Sequence, residues 1–330
     1  MTALGGAPIL APMPASRPAA LAFLLLALLP GPAAQPADAS PGELRVAAVQ
    51  LHLDSADLAS TAAYVAVIQE AVLRCLPFAP DLILFPEYTA AFLALLPYGR
   101  LIQGAQTLEQ ALRRVLEHEP LAHDLRELFL LNSSLAETSM RELFGGLARR
   151  YGVAMGAGTW FAPVEAGGRT GLVDRAVVFD SSGGELYAQD KVFLTGFEEG
   201  VLGLRPGRLS DARPFLLKGR KLALTICRDT YFEEWDERLA GAELWVDLKA
   251  NGEPFTREAS EGFLRALPAR LSGSGVRYGL TVCLTGEVAG LAWEGQSFLS
   301  QRAGGAVRTL KRAASADSEE ILFFILPVGG

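Results

Sequence analysis

Three reactive side chains in this 330-residue sequence each follow a short hydrophobic run: Glu87 after Asp81–Phe85 and Pro86, Lys191 after Glu185–Asp190, and Cys227 after Leu222–Ile226. In α/β proteins, functional groups gather at the C-terminal ends of strands. A carboxylate directly behind a buried strand lies near the core, where burial raises its pKa into the range useful for proton transfer. A lysine at a strand end supplies a fixed positive charge for a developing oxyanion. A cysteine between an apolar run and Arg228-Asp229 sits where core meets cleft, and a nearby cation there lets a thiol ionise. Singly, each has a bland reading: a solvated glutamate, a surface lysine, an inert packed thiol. In the order Glu, Lys, Cys, each behind a strand, they point to a nucleophilic site with its own acid–base partner. Cys75, on the helix before Pro77, and Cys283, inside Leu280–Leu284, read as packing. His52, His118 and His123 have no supporting motif, and no metal-ligand spacing is visible, so neither a Cys–His hydrolase nor a metal or cofactor is expected.

The elements that must position these groups follow from periodicity. Leu44–Leu51 reads as a buried strand and Ala56–Leu76 as a helix stopped by Pro77 and Pro80. Asp81–Phe85 reads as a second strand, which makes a βαβ unit with parallel pairing. Residues 92–150 read as helical almost throughout, with breaks at Pro97-Tyr98-Gly99, Gly104, Pro120 and Asn132. A strand is predicted at Gly152–Gly158. Leu172–Asp180 and Glu185–Asp190 flank the turn signal Ser181-Ser182-Gly183-Gly184. Further strands are expected at Lys221–Ile226, Glu243–Leu248, Tyr278–Thr285, Ser297–Ser300, Ala306–Leu310 and Ile321–Leu326, with helices at Phe232–Leu239 and Glu258–Leu271. About ten to twelve strands and five or six helices favour sheets covered by helices in one α/β domain.

Composition narrows the function. Half of the chain is hydrophobic, a fifth is charged and the net charge is −7, the balance of a folded globular protein. An acidic chain does not suit nucleic acid, which needs a basic face. Three cysteines cannot build a disulfide scaffold. No wholly apolar run reaches the roughly 20 residues of a spanning helix. Arg17 precedes the apolar run Ala19–Leu29. Pro30-Gly31-Pro32 follows it, and Ala37-Asp38-Ala39 has the small-x-small pattern of a cleavage site. Residues 1–39 therefore read as a secretory signal and 40–330 as the exported domain, periplasmic or secreted, with an uncleaved membrane anchor as the alternative.

With these residues in place, the sequence resembles the carbon–nitrogen hydrolase, or nitrilase-like, superfamily. Val46-Ala47-Ala48-Val49-Gln50 is similar to that family's first strand, and Asp81 to Glu87 to its glutamate segment. Tyr187 to Leu194 is similar to its lysine segment, Leu224 to Asp229 to its nucleophile segment, and Gly241 to Leu244 to the strand entry that follows. Arg270 and the stretch Tyr278 to Gly286 resemble its later helix and strand. The resemblance implies a four-layer α-β-β-α sandwich that is dimeric or larger. It implies a Glu87-Lys191-Cys227 triad that cleaves a non-peptide amide or nitrile through a thioester, with Lys191 favouring the thiolate. It also implies a second glutamate eight residues after the lysine, which is Glu199, with Glu198 one register away. Tyr88, Arg228 and Asp229 are the remaining candidates for holding substrate, Asp229 alternatively pairing with Arg228. Three positions depart from the family pattern: Arg228 replaces a Tyr or Trp, Phe193 replaces a His, and Thr285 replaces an Asn. The helical stretch at about 96–140 is longer than the pattern needs and is expected to form a lid or an oligomer contact. The same triad serves an N-acyltransferase, and the departures leave room for an inactive exported binding protein.

Overall fold

The computed structural model describes residues 42–252 and 255–327; the expected signal sequence lies outside them. The first strand, β1 (Leu44–Asp54), is apolar on both faces, and α1 (Thr61–Cys75) follows it before β2 (Leu82–Leu84). By length and composition Thr61–Phe78 is apolar enough to cross a membrane. Here its buried stripe, Tyr64, Ile68, Ala71, Val72 and Cys75, packs into the core beside Val49 and Leu51 of β1. The stretch expected to be helical with breaks at Pro97-Tyr98-Gly99, Gly104, Pro120 and Asn132 is a series of short pieces parted at or beside those residues. A 3₁₀ segment, Thr89–Tyr98, is followed by α2 (Gly99–Ile102), α3 (Leu108–Leu116), α4 (Leu125–Leu131), α5 (Ser133–Met140), a π turn at Arg141–Gly145 and α6 (Gly146–Tyr151).

The chain then forms a meander, β3 (Ala154–Ala166), β4 (Arg169–Phe179) and β5 (Glu185–Asp190), and a one-turn helix, α7 (Gly196–Gly200). The second half comprises β6 (Phe215–Leu217), β7 (Arg220–Ile226), α8 (Glu234–Arg238), β8 (Leu244–Lys249), α9 (Arg257–Ser274), β9 (Tyr278–Val288), β10 (Leu291–Trp293), β11 (Phe298–Ala303), β12 (Ala306–Arg312) and β13 (Glu320–Leu326). Short β6 and β10 escape the periodicity reading. β3 runs past its expected end, through Pro163, because β2 pairs only with Ala154, Met155 and Gly156 and leaves that flank of β3 without a ladder bond to lose at Pro163.

Two half-sheets result. One orders β13, β1, β2, β3, β4 and β5; the other orders β6, β7, β8 and β9, with β11 and β12 beyond. They join where the end of β1 pairs in parallel with the end of β9, Leu51 against Leu284 through Asp54 against Glu287. Alternation along the strands sorts the layers. Val46, Leu84 and Val178 from the first half-sheet share one buried cluster with Leu224, Val246 and Leu280 from the second. On the outer face of the first half-sheet, Val49, Ile83 and Phe85 pack with the helices of residues 61–151. On the outer face of the second, Ala223 and Trp245 pack with Trp235 of α8 and Leu267 and Leu271 of α9. Each such side chain contributes roughly 1.5–3 kcal/mol on burial. The architecture is the expected α-β-β-α sandwich, and it brings the C-terminal ends of β2, β5, β7 and β8 together.

A bulge in β3 shapes that end. The β3–β4 register shifts between Gly156 and Thr159, and Gly158 adopts φ +73°. A Cβ on Gly158 would stand 2.0 Å from the Pro86 carbonyl oxygen, so the segment carrying Glu87 lies directly on it. Gly158→Ala is expected to destabilise the fold by about 2 kcal/mol or more, since the new methyl has backbone rather than a flexible side chain to displace. Denaturant melts of the two proteins check this.

Candidate active site

Glu87 and Lys191 meet in the core with no exposed surface. Glu87 follows β2 by three residues, and the left-handed turn at Tyr88 (φ +64°) ends that segment. The Tyr88 N–H donates to Thr159 Oγ1 at 2.9 Å, which ties the turn to the bulge of β3. Lys191 is the first residue after β5. Its backbone N–H donates to the Asp174 carbonyl at 2.8 Å, and its Nζ donates to Glu87 Oε1 at 2.7 Å. The other Glu87 oxygen accepts the Ala250 N–H at 2.7 Å, at the end of β8. Both carboxylate oxygens are thereby satisfied and aimed.

The second glutamate is Glu198, not Glu199. Lys191 Nζ donates to Glu198 Oε1 at 2.5 Å, and Tyr88 Oη donates to the same oxygen at 2.5 Å. Glu199 is exposed on the solvent side of α7. The register is set by the cap of α7: Thr195 Oγ1 accepts the Glu198 N–H, and Glu198 Oε2 accepts the Thr195 N–H at 2.7 Å. This is a capping box, Thr-x-x-Glu, and that pattern in the sequence was the signal for choosing Glu198.

Cys227 begins a 3₁₀ turn straight after β7 and adopts φ +49°, a conformation that costs a non-glycine residue about 1–3 kcal/mol unless its surroundings hold it. Two donors bind its carbonyl: Thr230 Oγ1 at 2.9 Å and Lys249 Nζ at 3.0 Å. Asp229, a candidate for holding substrate or pairing with Arg228, is bonded instead to backbone N–H groups. It is fully buried; its Oδ1 accepts the N–H groups of Val192 and Phe193 at 3.1 and 2.9 Å, and its Oδ2 accepts that of Ile226 at 3.2 Å. Asp229 thus clamps the loop after Lys191 onto the turn that carries Cys227. Arg228 donates to the Leu194 carbonyl at 2.7 Å and lies 5.7 Å from the Phe232 ring centroid. Phe232 stacks on Phe193 with centroids 3.7 Å apart. Two of the departures from the family pattern, Arg228 and Phe193, therefore brace the same loop through this stack. The third, Thr285, donates to the Leu51 carbonyl at 3.2 Å, at the join of the half-sheets.

Three buried ionisable residues, Asp174, Asp247 and Lys249, were missed in the sequence. Asp174 of β4 is fully buried, and its carboxyl oxygens approach those of Glu87 and Glu198 within 4.8 Å. Such carboxylate spacing can hold a metal ion, but here the Lys191 ammonium already bonds two of the three acids. Lys249, also fully buried, pairs with Asp247 at 3.2 Å and donates to Thr230 Oγ1 at 3.0 Å. Its ammonium lies 5.0 and 4.9 Å from the Tyr231 and Phe263 ring centroids. His118 and His123 are exposed, and His52 sits against Thr285 and Asp54, so none takes part.

The electrostatics revise one expectation. Lys191 is held protonated well above its usual range: burial opposes its charge, but Glu87, Cys227, Glu198 and Asp174 together outweigh burial. Burial, reinforced by Glu87, pushes the Asp174 carboxyl well above the ordinary carboxylate range. Burial would also raise Glu198, but the Lys191 charge and hydrogen bonds hold it below the ordinary carboxylate range. Glu87 is raised, chiefly by burial, with Lys191 opposing. Cys227 was expected to be favoured as a thiolate. Instead burial, then the Glu87 charge, push its thiol well above its ordinary value, and Lys191 and Lys249 only partly offset them. The resting pair is a neutral thiol and a carboxylate with raised proton affinity, which is an arrangement for general-base activation at the moment of attack. Cys75 and Cys283 are buried and unpaired.

No family model and no curated protein matches the sequence. Solved structures do. A double mutant of the amidase from Nesterenkonia sp. AN1 in complex with acrylamide superposes with a TM-score of 0.59 at 22% identity, covering 88% of this chain and 93% of that one. A mutant of the same amidase, described as from the nitrilase superfamily, gives 0.56 at 23% identity over 86% and 91%. A further mutant, in complex with butyramide, gives 0.58 at 23% over 87% and 93%. The chain has the fold of the nitrilase superfamily.

Proposed function

We propose that this protein hydrolyses the carbon–nitrogen bond of a small non-peptide amide through a thioester on Cys227. The observation that carries this reading is the buried Lys191 bridging Glu87 and Glu198 beside the strained turn of Cys227. In this reading Glu87 takes the thiol proton as sulfur attacks the carbonyl carbon. Lys191, with a backbone N–H of the Cys227 turn, stabilises the oxyanion. Glu87 then gives its proton to the leaving nitrogen, and ammonia or an amine departs. Next it takes a proton from water, whose oxygen attacks the thioester; as the carbon–sulfur bond breaks and the acid leaves, Glu87 returns that proton to the sulfur and restores the free thiol. Glu198 orients Lys191, and Tyr88 orients Glu198. The Nesterenkonia amidase supports amides as the substrate class, since mutants of it are described in complex with acrylamide and butyramide. We further propose that the chain is exported as residues 40–330, on the strength of Ala19–Leu29 and Ala37-Asp38-Ala39.

Ammonia release from a panel of small primary amides tests the reaction. Cys227→Ala is expected to abolish it, because no other group forms the thioester. Glu87→Gln is expected to lower the rate roughly 10²–10⁴-fold and Lys191→Ala roughly 10²–10³-fold, while Glu199→Gln, on the exposed side of α7, leaves it unchanged. Full turnover by Cys227→Ala overturns the reading. The pH profile follows from Glu87. The enzyme works with this group ionised, and burial raises its pKa, so activity falls as pH drops through that raised value. The acid limb is expected above the ordinary glutamate value of about 4.3 and is absent from the residual activity of Glu87→Gln. Export predicts a mature protein that begins at Ser40, read by intact mass on material from the native host.

A further inference from the structure

Lys249 is a second lysine held in the core beside Cys227, and the chemistry of Glu87 and Lys191 leaves it without a task. It ends β8 and is fully buried. Its ammonium makes three polar contacts: Asp247 Oδ2 at 3.2 Å, Thr230 Oγ1 at 3.0 Å and the Cys227 carbonyl oxygen at 3.0 Å. The Tyr231 and Phe263 ring centroids lie 5.0 and 4.9 Å away, within the range at which an aromatic face attracts a cation. Burial opposes its charge, but Asp247 foremost, then Cys227 and Tyr231, hold it protonated. Stability alone gives little reason for such a pair, because well-packed apolar residues in place of a buried ion pair are often neutral or stabilising. What sets this pair apart is that one N–H of the ammonium goes to the backbone of the nucleophile.

The Cys227 carbonyl belongs to the peptide that links Cys227 to Arg228. A trans peptide is planar, and its C=O and N–H point in opposite directions. With the oxygen pinned by Lys249 Nζ and Thr230 Oγ1, the Arg228 N–H is directed away from Lys249. Arg228 is second in the 3₁₀ turn Cys227–Tyr231, so this N–H has no acceptor inside the turn. A cation at the carbonyl oxygen draws amide electron density toward that oxygen, which leaves the N–H a stronger donor. Charge-assisted hydrogen bonds are roughly twice as strong as neutral ones, so Lys249 polarises this peptide more than Thr230 does.

We propose that Lys249 is a positioning residue for the reaction: through the Cys227 carbonyl it aims the Arg228 N–H at the substrate oxygen and strengthens it as a donor to the oxyanion. Lys191 meets the oxyanion directly, Lys249 acts through one peptide, and Asp247 holds Lys249 in place. This role deepens the amide-hydrolase reading and rests on it for the substrate.

The test compares the full-length wild-type protein with two variants. Asp247→Asn with Lys249→Gln removes the cation and its counter-ion together and leaves no lone charge in the core. Thr230→Val removes the neutral donor and keeps the cation. Ligand-free thermal midpoints show whether each is folded; Asp247→Leu with Lys249→Met, an apolar pair, replaces the first if it is not. One readout is kcat and KM for ammonia release from propionamide. The other is affinity for propionaldehyde, read as the rise in thermal midpoint with aldehyde concentration, with Cys227→Ala as the background. The Cys227 sulfur adds to the aldehyde carbon and the thiol proton ends on the former carbonyl oxygen, so the adduct sets an oxygen where the oxyanion forms, without turnover. The cation-free variant is expected to lose roughly tenfold in kcat and in aldehyde affinity at unchanged KM, less than the loss of a whole oxyanion donor. Thr230→Val is expected to lose about threefold or less. Unchanged kcat and aldehyde affinity without the cation overturn the proposal. A loss as large in Thr230→Val, or a KM that rises in step, also overturns it, since either marks a merely structural anchor. Aldehyde binding that weakens without Lys249 in a protein that releases no ammonia leaves Lys249 its role and removes the hydrolase; full ammonia release without the cation does the reverse.

Discussion

Everything at this site depends on placing the ammonium of Lys191 in the core. Moving such an ion out of water costs several kcal/mol, and only close partners offset it. Lys191 has two, Glu87 and Glu198, on separate segments of chain. Their remaining oxygens accept Ala250 N–H and Thr195 N–H, and the Tyr88 hydroxyl adds a second donor to the Glu198 oxygen that Lys191 binds. The loops after β2, β5 and β8 and the start of α7 therefore converge because the charge admits no other arrangement. Removing one member strands the others as uncompensated buried charge, at a cost of about 3–5 kcal/mol. Asp174 lies within 4.8 Å of both acids, and burial with the Glu87 charge pushes its carboxyl well above the ordinary carboxylate range.

Strain is the second element of the design. Tyr88 and Cys227 are left-handed without being glycine, and each lies just past a strand that ends at the site. Both are held by polar partners fixed elsewhere in the fold: Thr159 for the first, Thr230 and Lys249 for the second. Such turns lift a side chain out of the strand's own plane, which is how residues at the ends of a flat ladder come to point at one another. The Asp229 clamp and the Arg228–Phe232–Phe193 stack join the lysine loop to the cysteine turn, so that the two move as one body.

The layered fold and the positions of Glu87, Lys191 and Cys227 were legible because strands buried on both faces are unbroken apolar runs, and a charged or thiol residue at the end of such a run stands out. Lys249 and Asp247 were not legible. They alternate with Leu248 inside a strand, and what neutralises them includes Thr230, almost twenty residues away. Asp174 was hidden for the same reason, being a single acid in a strand whose partners lie on other strands. Glu198 was legible in principle, through the Thr195 capping box, but counting residues from the lysine landed on its exposed neighbour. The thiolate expectation failed because it weighed one cation and left out burial and the carboxylate beside it. The breaks in the helical stretch were legible too: α2 opens at Gly99, Gly104 and Pro120 lie between helices, and Asn132 separates α4 from α5.

The raised proton affinity of Cys227 has a consequence for chemical durability. Peroxide, disulfides and alkylating agents all react with the sulfur anion, and its population falls tenfold for each unit by which the pKa exceeds the surrounding pH. A nucleophile held as a neutral, half-buried thiol is less reactive toward such oxidants and electrophiles than a thiolate would be. It becomes a nucleophile when a carbonyl is close enough for Glu87 to draw the proton away as the bond forms. The ion cluster that makes the site reactive toward a bound amide thus also keeps it less reactive toward its surroundings.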